Sequence, residues 1–90
     1  MLQYHMFADG RVQGVGFRYF VQMEADRHKI TGWVKNRDDG RVEILAEGPE
    51  ESLKHFAEAV RKGSPFSNVT GVTIEESRHL KGYRTFSISY

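Results

Sequence analysis

Gly10, Gly14 and Gly16 all fall inside the stretch "DGRVQGVGFRYF", residues 9–20, where a strand-like run gives way to a helix-like one. Glycine inside either element costs roughly 0.5–1 kcal/mol relative to alanine, so such a cluster needs a local reason. Before it, residues 2–8 alternate loosely, and a first strand is expected at about Gln3 to Val12. After it, Phe17, Phe20, Val21, Ala25 and His28 share one helical face, while Gln22, Asp26, Arg27 and Lys29 occupy the others. A first helix is therefore expected from Arg18 to about Lys29, closed by Thr31-Gly32.

The rest of the chain follows with equally local signals. "WVKNRDDGRVEILAE" reads as a hairpin: "DDG" supplies positive-φ turn residues, and Val42, Ile44 and Ala46 alternate with Glu43, Leu45 and Glu47. After Gly48-Pro49, Leu53, Phe56, Ala57 and Val60 have i, i+3, i+4, i+7 spacing, with Glu50 and Glu51 in the first turn, Arg61 and Lys62 in the last, and Gly63 as the closing residue. "VTGVTIEESRH" is a fourth strand, and Phe86, Ile88 and Tyr90 alternate with Thr85, Ser87 and Ser89 in a short final one. The order, βαββαβ plus a closing strand, is that of a ferredoxin-like α+β sandwich in which two helices cover one face of an antiparallel sheet.

Ninety residues give one domain, spanning residues 1–90, with a core that buries about 60–65% of the surface of the unfolded chain. A net charge of +1 offers no electrostatic footprint for a nucleic acid or a membrane surface. The absence of cysteine removes disulfides, thiolate nucleophiles and cysteine-based metal sites together. The start "MLQYHMFADG" lacks a basic region followed by an apolar one, and no apolar run approaches about 18 residues. A soluble, cytoplasmic protein is expected.

The glycine-rich junction fits neither common phosphate loop. A dinucleotide fingerprint would need glycine where Tyr19 stands, and a Walker loop would need one where Val15 stands, followed by Lys-Ser or Lys-Thr. What remains is a strand, the turn "QGVGF" and a helix N-terminus. Two readings stand. The glycines can simply allow a tight turn with Arg18 solvated, or the backbone N–H groups can converge on an anion that Arg18 grips with its planar fork. Arginine at a helix N-terminus opposes the dipole by about 0.3–1 kcal/mol, which favours the anion.

Other candidates are weaker. His5, His28, His55 and His79 are scattered with no metal-ligand spacing, so surface or half-buried imidazoles are expected and no metal is. Asp38-Asp39 suits a turn. Phe17, Tyr19 and Phe20 read as helix packing. Trp33 suits either the outer surface of the second strand or a lid, and the sequence does not choose. Asn36 interrupts a strand with a residue of poor β-propensity, which suits early turn chemistry or a functional role.

Taken together, "GRVQGVGFR" (10–18) and "GWVKNRDDGRVEILAEG" (32–48) resemble the two signature motifs of the acylphosphatase family, small enzymes that hydrolyse the carboxyl–phosphate bond of acyl phosphates. Length, element order and the final "FSISY" are similar too; Ala8, where the family usually has a larger aliphatic, is a departure that touches strand packing only. The resemblance implies that Arg18 binds phosphate, that Asn36 orients the attacking water, and that backbone amides of Gln13, Gly14, Val15, Gly16 and Phe17 form a cradle. It implies a small acyl phosphate as substrate, inorganic phosphate as product, a monomer, and no metal or cofactor. A carboxylate leaves without help from a general acid, since its conjugate acid has a pKa near ~4.

Two rival functions share the element order. An RNA-recognition module would carry stacking aromatics on its third strand, where this chain has "RVEILAE". A non-catalytic acylphosphatase-like binding or maturation module would not need both Arg18 and Asn36. Neither a nucleic acid nor a membrane is expected as a partner.

Overall fold

In the computed structural model, which describes residues 1–90, the elements are β1 (Leu2–Arg11), α1 (Phe17–Arg27), β2 (Thr31–Asn36), β3 (Val42–Gly48), α2 (Glu50–Lys62), β4 (Asn68–Ser77) and β5 (Phe86–Ser89). The five strands form one sheet in the order β4-β1-β3-β2-β5. Alternation decides which side chains face the helices. Tyr4, Met6 and Ala8 of β1, Val34 of β2, and Val42, Ile44 and Ala46 of β3 pack with Phe17, Val21 and Ala25 of α1 and with Leu53, Phe56, Ala57 and Val60 of α2. Each such large apolar side chain contributes about 1.5–3 kcal/mol by leaving water. No helix is long and apolar enough to cross a membrane.

The sheet is mixed, not wholly antiparallel: β1, β2, β3 and β4 pair antiparallel, but β5 runs parallel to β2, with Val34 opposite Ile88 and Lys35 opposite Ser89. The physical reason is the route of the chain. Because β4 occupies one edge and β5 the other, the segment between them crosses the face opposite the helices, where Glu47 Oε2 accepts the Lys81 N–H at 2.6 Å and Oε1 the Gly82 N–H at 3.0 Å. Glu43, Leu45 and Glu47, the half of β3 that points away from the helices, are buried too, with the crossing over Glu47 and the His5 and Arg37 side chains over Glu43. Burial raises the Glu47 carboxyl, but donors from Lys81, Gln3, Gly82 and Tyr83 more than offset it and hold the group below its ordinary value. Glu43 behaves likewise, with His5 and Arg37 as its donors. Trp33 lies on this face and donates from Nε1 to the Tyr83 hydroxyl at 3.1 Å.

Two turns close differently from expectation. Helix α1 ends two residues early, in a cap where Ile30 N–H reaches Ala25 O at 2.8 Å and Lys29 N–H reaches Asp26 O, with Lys29 at φ 57. This is a Schellman motif with lysine in the position that glycine usually takes. Burial of Ile30 offsets the cost of about 1–2 kcal/mol for a Cβ in the left-handed region. Gly32, freed from that duty, sits inside β2 because an added Cβ would meet the Leu45 carbonyl oxygen at 1.8 Å. In the β2–β3 hairpin Gly40 alone has positive φ, and neither aspartate does. Asp39 instead accepts from the backbone N–H and the guanidinium of Arg41.

Candidate active site

Sequence places Gly14 and Gly16 at the β1–α1 junction, and the backbone uses both: φ is 73° and 75°, in the left-handed region that disfavours side chains. An added Cβ would meet nothing at either position, so it is conformation rather than space that selects glycine here. Gly16 is the residue before the first turn of α1, and no side chain caps that turn. None of the backbone N–H groups from Gln13 through Tyr19 donates to a carbonyl or a side chain of the protein. A run of free donors at a helix N-terminus has the geometry that can receive an anion.

Arg18 stands beside these donors. Its Nη1 donates to the Ser89 carbonyl at 3.1 Å, and its Cζ lies 4.6 Å from the centre of the Tyr90 ring. No carboxylate pairs with it. One edge of the guanidinium is therefore fixed on β5, and the remaining donors keep their charge for something outside the chain. Asn36, the last residue of β2, presents an Oδ1 that is buried and has no hydrogen-bond partner. An unpaired buried acceptor costs about 1–3 kcal/mol, so its retention asks for a donor supplied from elsewhere.

These groups face one cavity of about 340 Å³, lined by Val12, Gly14, Gly16, Phe17, Arg18, Tyr19, Asn36, Ile88 and Tyr90. Arg18, Asn36, Gly14, Gly16 and Phe17 thus meet where the sequence put them. The side chains of Gln13 and Val15 do not line the cavity: the Gln13 amide turns to the β2–β3 hairpin, and Val15 packs on the core. Tyr19, expected in the helix packing, is 62% exposed at the cavity mouth. Sequence reasoning missed Ile88, Tyr90 and the Ser89 carbonyl. Their alternation with Phe86 was legible, but only the parallel pairing of β5 with β2 brings them to Arg18. No group of three His, Asp or Glu residues is arranged to hold a metal ion.

Fold and site together define a ferredoxin-like domain in which a β-to-α turn with free backbone donors, an arginine without a carboxylate partner and an asparagine line one pocket. The sequence profile described as Acylphosphatase matches residues 4–88. An acylphosphatase of Bacillus velezensis is 93% identical over 90 residues, covering all of both chains. That of Bacillus subtilis is 70% identical, covering 100% of this chain and 99% of its own. The crystal structure of acylphosphatase from Bacillus subtilis superposes with a TM-score of 0.98 at 70% identity over the whole of both chains. The chain belongs to the acylphosphatase family and is an enzyme of it.

Proposed function

We propose that the chain hydrolyses the carboxyl–phosphate bond of acyl phosphates by direct attack of water on a phosphoryl group held in the cradle from Gln13 to Phe17, with Arg18 across its equatorial oxygens and Asn36 aligning the nucleophile. The observation that carries this reading is that Gly14, Gly16 and Phe17, whose N–H groups are free, line one cavity with Arg18, which no carboxylate pairs, and Asn36. A loose phosphoryl transition state asks mainly for positioning and for compensation of charge on the equatorial oxygens. The cradle and Arg18 supply both. The Asn36 side-chain amide, at the cavity wall, hydrogen-bonds the water and turns its lone pair towards phosphorus; an amide is no base, so both protons end on the phosphate. The balance is one acyl phosphate dianion and one water giving one carboxylate and one dihydrogen phosphate. The departing carboxylate needs no proton at neutral pH.

Because no side chain acts as nucleophile or metal ligand in this scheme, the enzyme works without a metal; with every site residue supplied by one chain, it acts as a monomer. Its one domain acts on a small substrate in the cytoplasm, with neither nucleic acid nor membrane as a partner. Chelation should leave phosphate release from benzoyl phosphate unchanged; activity lost with EDTA and restored by a divalent ion would refute the scheme. Asn36→Ala should lower kcat about 100-fold while leaving competitive inhibition by inorganic phosphate nearly unchanged. A folded Asn36→Ala variant that turns over at the parent rate would remove the water-positioning role.

A further inference from the structure

The geometry points to the Gln13 side chain as a positioning residue that locks Asn36 in register with the phosphate cradle; this rests on the role proposed above for Asn36. The cradle follows β1, whereas Asn36 ends β2, and these two strands are not neighbours: β3 lies between them. Both strands reach their last pairing with β3 at the same residue. Ala8 is opposite Val42 on one side, and Asn36 is opposite Val42 on the other. Beyond Val42 no ladder holds the end of β1 to the end of β2. β1 continues through Asp9 to Arg11 on β4 alone, with its register shifted between Asp9 and Gly10.

Across that gap the Gln13 amide makes the connection. Its Nε2 donates to the Arg37 carbonyl at 2.8 Å and to the Arg41 carbonyl at 2.9 Å, so both of its hydrogens are used. Arg37 directly follows Asn36. The same two carbonyls close the hairpin, accepting from Gly40 N–H at 3.2 Å and from Arg37 N–H at 2.8 Å. Gln13 is thus the first residue of the cradle by its backbone and a clamp on the Asn36 hairpin by its side chain. Misplacing a group that aligns a nucleophile lowers kcat without weakening the ground-state complex.

The test is a double-mutant cycle on the full chain with benzoyl phosphate as substrate and inorganic phosphate as the binding probe. Gln13→Met keeps the length of the side chain and removes both donors. It should lower kcat about 10-fold, with KM and inhibition by phosphate held within about twofold. In the Asn36→Ala background the same change should alter kcat less than about twofold, because Gln13 acts through Asn36. Gln13→Lys, whose ammonium can serve both carbonyls, should recover part of the loss. Losses that multiply in the double variant, or a Gln13→Met variant that weakens phosphate binding, would overturn the inference while leaving the Asn36 role intact. A Gln13→Met chain that no longer folds would overturn it too, since the clamp would then hold the domain rather than the site. Should Asn36→Ala alone keep its parent kcat, the water-positioning reading fails and takes the inference with it.

Discussion

Helices α1 and α2 lie on the same face of the sheet, yet their N-termini are built in opposite ways. At α2, Pro49 enters in extended backbone, and Glu50 and Glu51 fill the first turn with negative charge. At α1, Gly16 enters in the left-handed conformation, the first turn holds no acid, and Arg18 adds positive charge to the positive end of the dipole. Acids in a first turn contribute about 0.3–1 kcal/mol each. Helix α2 satisfies its own electrostatics, whereas α1 leaves an unfavourable end open. The lesson is that one helix end is neutralised within the chain and the other is not; under the function proposed above, the open end of α1 is the one that takes the phosphoryl group.

The largest expected effect removes the charge that α1 carries. Arg18→Ala should cost about 3 kcal/mol or more of transition-state stabilisation and weaken inhibition by phosphate, and Arg18→Lys should restore only part, because a point charge cannot reproduce the fork. Steady-state kinetics on both variants checks this, and a lysine variant with the parent kcat/KM would make the fork irrelevant. A smaller effect follows from making α1 resemble α2. Tyr19→Glu places an acid in the first turn of α1, where it competes with the substrate phosphate; kcat/KM should fall about 10-fold below that of the neutral Tyr19→Gln, while thermal stability rises above it. Equal kinetics for the two would mean that the charge at this helix end does not govern binding.

The smallest effect makes α2 resemble α1. Glu50→Gln and Glu51→Gln should each cost about 0.3–1 kcal/mol of stability, measured by denaturant unfolding, with no change in activity. Both carboxylates also lie near Lys54, and these exposed pairs add little. An activity loss from either variant would break the division between a self-sufficient helix and a ligand-dependent one.

Much of the site was legible in the sequence because its signals are local. The glycines at 14 and 16 announced a tight turn, Arg18 stood two residues after the second, and Asn36 stood out by breaking a strand pattern. The family motifs then tied the two segments together. What could not be read were the partners that arrive from far along the chain. The Gln13 amide finds carbonyls 24 and 28 residues away, and Arg18 finds the Ser89 carbonyl 71 residues away. The alternation of β3 correctly gave a strand but could not show that Glu43, Leu45 and Glu47 are buried as well, since the groups on them, among them the Lys81 amide, His5 and Arg37, come from outside the strand.

By itself, then, the sequence determined the order and type of every element, the polarity of α2 and the glycine-rich turn ahead of α1, and it singled out Arg18 and Asn36 as candidates, because periodicity, capping and backbone freedom act within a few residues. Only the tertiary structure decided that β5 runs parallel to β2 at the far edge, that Lys29 rather than Gly32 turns the chain after α1, and that Tyr19, Ile88 and Tyr90 line the cavity with Arg18 and Asn36. Each of those depends on which strand lies beside which and on what the packed core pulls inward. Such choices are settled by burial summed over the whole domain, and no short window of residues contains them.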